Sequence, residues 1–270
     1  MARTIGAAAA GALLALLIAP PAAAEDLPVD LELILAVDVS GSMDVEEQRL
    51  QRAGYVAALT DPQVLDAIRT GSYGRVAMTY VEWAGASAQE VTVPWTLVDD
   101  GESAESFAQR LAAAPPARIR GTSISGALTF AAPLFDGNGY EGLRRVIDVS
   151  GDGPNNMGPP VEPVRDALLE RGIVINGLPI MLRPSQLGTM DIAALDVYYT
   201  DCVIGGPASF VVAVRELGQF AEAIRQKLVL EIAGLPPRVT LAAERGGRAG
   251  PRSDCMVGEK LRRSWEWSDR

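Results

Sequence analysis

The stretch LELILAVDVSGSM, Leu31 to Met43, decides the fold. From Leu31 to Val39 only Glu32 and Asp38 interrupt an apolar run. Apolar residues at successive positions, rather than alternate ones, suit a strand covered on both faces, as in a parallel sheet. Val45 to Leu59 then carries apolar residues at helical spacing behind an acidic first turn, Asp44, Glu46 and Glu47, which suits the positive end of a helix. Between strand and helix lies a loop with one carboxylate and two hydroxyls at alternate positions: Asp38, Ser40 and Ser42.

Working outward, the pattern keeps alternating. Asp61-Pro62 predicts a short helix to Arg69, and Arg75 to Trp83 a strand; Glu90 to Leu97 reads as an antiparallel edge strand, because its connection is too short for a helix. Helices are expected over Ser103 to Ala114, stopped by Pro115-Pro116, over Thr122 to Phe135, and over Glu162 to Arg171. Strands are expected at Arg145 to Val149, Ile173 to Ile180 and Phe210 to Val214, with a long helix from Glu216 to Ile232. Residues 183 to 209 lack a clean period, and the tail beyond Pro236-Pro237 is rich in Gly and Arg. The whole predicts an α/β fold: a doubly wound, mostly parallel central sheet flanked by helices, with one antiparallel edge strand.

Composition narrows the function. The chain contains no histidine, which excludes Ser-His-Asp hydrolysis and histidine-ligated zinc. At the N-terminus Arg3 precedes an apolar run, Ala7 to Ile18, then Pro20-Pro21 and Ala22-Ala23-Ala24. That layout predicts a secretory signal peptide, residues 1–24, and a periplasmic or secreted product with no stable membrane anchor after cleavage. The net charge of −10 becomes −11 on cleavage, since Arg3 is the only charged residue removed. So acidic a protein is expected to avoid nucleic acid, and the loose patch of Arg245, Arg248 and Arg252 is expected to be solvated. The two cysteines, Cys202 and Cys255, would reach an oxidising compartment and are expected to pair, folding the tail back onto the core. A loop of this size gives roughly 4 kcal/mol in the chain-entropy account.

A carboxylate and two hydroxyls in one loop offer a hard cation oxygen ligands only, as Mg²⁺ or Mn²⁺ prefers. Taken alone, the loop is equally compatible with a turn that caps the following helix. Two further segments bear on this. Gly121-Thr122-Ser123 opens a helix with a hydroxyl, and Ser150-Gly151-Asp152-Gly153 follows the strand Arg145 to Val149. In a strand order 3-2-1-4-5-6, counting the antiparallel edge, the first and fourth strands are neighbours, so Asp38 and Asp152 would meet at one crevice. Asp148 stands inside the strand at a different depth and is expected to be a buried carboxylate bonded to backbone or to a loop.

The Asp-x-Ser-x-Ser loop, the later Thr and the Asp-Gly after the next central strand resemble the metal-ion-dependent adhesion site of von Willebrand factor A domains. The likeness runs from about Leu31 to Ile232, with residues 25–235 as the domain and 236–270 as the tail. It is nearest to exported bacterial proteins of unknown function that share Asp201 to Pro207, Asp-Cys-Val-Ile-Gly-Gly-Pro. The resemblance implies that Ser40 and Ser42 ligate the metal directly, Asp38 and Asp152 directly or through water, and that Thr122 enters or leaves as the site changes state. One departure is Gly151, where the family commonly has Thr. The resemblance implies a protein-binding module that takes a partner's Glu or Asp carboxylate at the metal. Two alternatives stand beside it. A Mg²⁺-dependent phosphoryl-transfer or hydrolytic enzyme with Asp38 as nucleophile lacks an Asp-x-Asp motif and a phosphate-cradling Gly-x-x-x-x-Gly-Lys loop here. In a metal-free scaffold, the same residues only cap loops. Trp265-Glu266-Trp267 reads either as an aromatic docking element or as part of the folded-back tail.

Overall fold

In the computed structural model, which describes residues 25–182, 192–234 and 253–268, the central strand is β2 (Leu31–Asp38). Parallel strands flank it: β3 (Val76–Trp83) on one side and β6 (Arg145–Gly151) on the other. Beyond β3 lies β4 (Gln89–Val98), antiparallel, and beyond β6 lies β7 (Ile173–Pro179), parallel. The order β4-β3-β2-β6-β7 is the one expected from the sequence. A short parallel pair, β1 (Leu27–Val29) with β5 (Tyr140–Gly142), forms a separate two-stranded sheet.

The expected last strand, Phe210 to Val214, does run beside β7 but only as isolated bridges, Gly177 with Val211 and Ile180 with Val214. Proline explains the break. Val212 and Val214 donate to the carbonyls of Gly177 and Pro179, yet Pro179 has no N–H to return, so the ladder cannot close.

The helices cover both faces. Alternate β2 residues Leu33, Leu35 and Val37 pack with α1 (Val45–Leu59), α2 (Pro62–Arg69), α3 (Gly101–Ala113) and α7 (Phe220–Ala233). Ile34 and Ala36 point the other way, toward α4 (Ile124–Ala131), α5 (Val161–Glu170) and α6 (Leu195–Tyr198). Capping chemistry sets the starts. Asp44 and Glu47 form a reciprocal capping box at α1. Asp100 and Ser103 do the same at α3, so that helix begins two residues before the expected Ser103. Ser123, not Thr122, caps α4 by accepting from the Gly126 N–H, and Pro133 tightens the last turn, Ala132–Phe135, into a 3₁₀ helix.

Two buried strand carboxylates meet different partners. Glu32 accepts from Asn138 Nδ2, from the Gly142 N–H and from Arg145 Nε. Asp148 is bonded neither to backbone nor to a loop, contrary to expectation. It lies 2.9 Å from Lys227 Nζ on α7, and Lys227 also bonds Glu231 one turn on. All three side chains are buried, and the lysine sits over the Phe210 ring, 4.7 Å from its centroid. The tail is tied back as expected by a disulfide between Cys202 and Cys255, with Cα atoms 5.5 Å apart. An unforeseen helix, α8 (Val257–Ser268), follows it. Trp265 and Trp267 stay 41% and 84% exposed on that helix, so folding back does not bury them. The leader, residues 1–24, and Arg245, Arg248 and Arg252 lie outside the described residues. Among the described residues, no helix is long and apolar enough to cross a membrane.

Burial, and then the Glu231 charge, push the Asp148 carboxyl up to about 7, with Lys227 opposing them. The folded state therefore binds this proton more tightly than the unfolded chain, and the group's contribution to stability declines as pH rises from about 4 to about 7. In urea unfolding across that range, Asp148→Asn should remove this decline. Lys227→Met leaves two buried carboxylates without their cation and should cost on the order of 3–5 kcal/mol; a cost below about 1 kcal/mol would refute the pairing.

Candidate metal centre

Because β2 and β6 are parallel and in register from Glu32 with Arg145 to Val37 with Ser150, their carboxyl ends finish side by side. The loops that follow them therefore share one crevice. Asp38, the last residue of β2, is fully buried, and its Oδ1 accepts the Ser40 N–H at 2.6 Å. The Ser40 and Ser42 hydroxyls are 2.8 Å apart, and the Ser42 hydroxyl donates to Asp152 Oδ1 at 2.7 Å. Four of the five residues expected at a metal are thus joined by consecutive hydrogen bonds. Thr122 is outside that chain of bonds but lines the same cleft as Ser40, Ser42 and Gly153.

Thr122 is placed by the loop after Asp152, which carries Asn155 and Asn156. Its N–H donates to Asn156 Oδ1 at 3.1 Å, and its carbonyl accepts from the Asn156 and Met157 N–H groups. Asn155 accepts from the Ser125 N–H and hydroxyl, pinning the start of α4 to the loop after Asp152. The only hint in the sequence was the pair of amides so close behind Asp152. On the other side, Ile119 bridges Ser40 in parallel, and Arg118 donates to the Gly41 carbonyl at 2.8 Å. The cleft above these groups has a volume of about 650 Å³.

The electrostatics are uneven. Burial pushes the Asp38 carboxyl well above the usual carboxylate range, and the Asp152 charge pushes the same way; Ser40, and least of all the Asp152 backbone, counter it. Asp38 Oδ2 is buried with no hydrogen-bond partner. Tyr199 approaches the same spot from the π-helical turn Tyr199–Val203, and its buried hydroxyl has no partner either. Burial holds that phenol well above its ordinary pKa, with the Asp38 and Asp152 charges adding to the effect. Tyr199 explains Gly151. A Cβ there would lie 2.8 Å from Asp38 Oδ2 and 2.9 Å from the Tyr199 hydroxyl, so the tyrosine occupies room that a threonine at 151 would need.

The residues fit a hard cation by donor type. Among the described residues no three His, Cys, Asp or Glu side chains converge as a metal cluster, so a cation here would rely on hydroxyls for most of its ligands. Two acids with two or three hydroxyls form an all-oxygen set that suits Mg²⁺ or Mn²⁺ better than a soft metal.

The sheet order and the crevice at the ends of β2 and β6 define a von Willebrand factor A-type fold. Similar solved structures agree. Proximal thread matrix protein 1 from the mussel byssus, solved with a zinc-occupied MIDAS motif, matches with a TM-score of 0.57 at 16% identity, over 78% of this chain and 49% of its own. The von Willebrand factor type A protein from Catenulispora acidiphila matches with a TM-score of 0.50 at 16% identity, over 76% of this chain and 43% of its own. The conserved hypothetical protein BatB from Bacteroides thetaiotaomicron gives 0.50 at 25% identity, over 76% of this chain and 99% of that one. This chain thus spans about half the length of the mussel protein. No curated protein matches it. Residues 28–236 match the family described as protein of unknown function DUF1194, and the chain belongs to that family.

Gly151→Ala should destabilise the fold by about 1–3 kcal/mol through overpacking against Asp38 and Tyr199. Because the phenol oxygen is one of the two close atoms, the same change should cost less in a Tyr199→Phe background. Strictly additive costs in urea unfolding of the double-mutant cycle would refute this account of Gly151.

Proposed function

We propose that Asp38, Ser40, Ser42, Thr122 and Asp152 hold a divalent cation, Mg²⁺ or Mn²⁺, and that the exported protein uses this site to bind a carboxylate of a protein partner. The observation that carries the reading is the row of hydrogen bonds that joins Asp38 to Asp152 through Ser40 and Ser42, which line the cleft, together with Asp38 Oδ2, buried with no hydrogen-bond partner among the described residues. The zinc in the MIDAS motif of the mussel protein supports it on a similar fold. When bound, the cation supplies an electrophilic point that accepts one more oxygen ligand from outside the protein.

The protein's own part is preorganisation. The Ser40 N–H holds Asp38 in place, and the Asn155 and Asn156 amides hold the Thr122 segment. Binding, rather than phosphoryl transfer, is favoured by access: Asp38, the candidate nucleophile, is fully buried, and a nucleophile must reach its substrate. Export to the periplasm or beyond rests on the leader composition, and the disulfide supports it because such bonds persist in oxidising compartments. N-terminal sequencing of the mature periplasmic protein should begin at Glu25; an intact Met1 would overturn export by cleavage.

Saturating Mg²⁺ or Mn²⁺ should raise thermal stability, by ~2.7 kcal/mol at a hundredfold excess over Kd. Asp38→Asn keeps the side-chain shape and removes the buried charge, so that variant should fold yet lose the response. Wild-type melting curves unmoved by Mg²⁺, Mn²⁺ or EDTA would overturn the metal site and leave a scaffold in which these residues only order loops.

A further inference from the structure

The cleft above the proposed metal site is lined by three arginines, Arg118, Arg120 and Arg262, while the two acids of the site, Asp38 and Asp152, are bonded to the lining residues Ser40 and Ser42 but are not part of the lining themselves. In a chain of net charge −10 that is a marked local reversal of sign. Two of the arginines come from the segment bridged to the Ser40 loop. The third belongs to α8, which is distant in sequence from every other residue of the cleft. We infer that α8 is a wall of the binding cleft, held there by the Cys202–Cys255 disulfide, and that the three arginines form a second anion subsite. The site then takes an acidic protein segment with several neighbouring carboxylates rather than a single one. This inference rests on the proposed carboxylate-binding role of the site.

The seating of α8 is specific. Glu259 accepts from Asn155 Nδ2 at 2.7 Å, on the amide that also positions α4. Gly258 presses on the loop after Asp152: a Cβ there would lie 2.1 Å from the Asn155 carbonyl oxygen. Ahead of the helix, the Ser253 N–H donates to Asp201 Oδ2 at 2.8 Å, next to the disulfide. Val257 and Cys255 also pack against the core, whereas residues 263 to 267 are exposed. A twelve-residue helix has marginal stability by itself, so the covalent tether decides whether the wall is present. Arg262 is 37% exposed and bonds Glu266 one turn on, an exchangeable surface contact that a ligand carboxylate can replace.

The test uses the full mature chain and a fluorescein-labelled hexaglutamate peptide, followed by anisotropy in Mg²⁺ and in EDTA. Arg262→Glu should weaken binding about tenfold, as expected when an exposed ion pair is turned into a repulsion, and Arg262→Lys should weaken it less. Arg263→Glu makes the same change in net charge on an exposed neighbour outside the cleft lining, and should alter affinity by less than about twofold. Reducing the disulfide should lower affinity at least as much as Arg262→Glu does. Equal losses in Arg262→Glu and Arg263→Glu, affinity unchanged on reduction, or no binding by the wild type would each overturn the inference. Binding that depends on Arg262 and the disulfide but not on Mg²⁺ would support the inference while overturning the metal site. Stabilisation by Mg²⁺ without any effect of Arg262 would do the reverse.

Discussion

The parallel pairing of β2 with β6 is the constraint on which the rest of the molecule depends. With Glu32 opposite Arg145 and Val37 opposite Ser150, the two strands end together, and the Asp38 and Asp152 loops must meet. A slip of one residue would exchange the faces of β6, sending Ile147 and Val149 toward α7 and Asp148 toward the α4 side, away from Lys227. Both strands are central and both faces are covered, so each polar residue within them except Arg145, at the start of β6, is buried and must find its partner inside the protein.

How those residues find partners separates structure from site. Glu32 and Asp38 lie on one strand and are equally buried. Glu32 meets three donors at the end where β2 begins, whereas Asp38 Oδ1 accepts the Ser40 N–H and Oδ2 is left unsatisfied. Leaving a buried carboxylate oxygen unpaired costs more than any ordinary loop requires, since a neutral residue could shape the turn without that penalty. Asp148 is the intermediate case, with a buried lysine as its partner. Asp38 Oδ2 and the Tyr199 hydroxyl are thus two buried, unsatisfied oxygens that meet at the carboxyl end of the sheet.

Most of this arrangement was legible in the sequence because it is local or periodic. The apolar run of β2 announced a strand covered on both sides, and the short link from Trp83 to Glu90 announced the antiparallel edge. The loop from Asp38 to Ser42 carried its chemistry in its composition, and the expected strand order brought Asp152 to it. What could not be read depends on contacts between distant segments. Nothing in the spacing of Lys227 and Glu231 names Asp148 as the third member of their cluster. The role of Gly151 becomes clear only when Tyr199 is seen reaching into the same space. The sequence of α8 is polar and follows a stretch rich in Gly and Arg, so its helical period was hidden by its surroundings. Its position depends on the disulfide and on Asn155.

Charge makes the cleft unusual within its own protein. The chain is strongly acidic, so an acidic partner of the kind proposed above is repelled while it is still far away. That repulsion is screened over about 10 Å at 0.1 M salt, comparable to the reach of a few side chains. Inside that distance Arg118, Arg120 and Arg262 offset it, against Asp38 and Asp152, which are bonded to the lining serines, and Glu266, which pairs with Arg262. For the acidic partner proposed above, the two ranges would act on different steps: net charge would slow encounter, and the local arginines would slow escape. Salt therefore works in opposite directions on the two, speeding approach while loosening the complex. Recognition built this way depends less on long-range steering than on how well carboxylates fit a small basic cleft, and one side of that cleft is a helix secured by a single covalent bond.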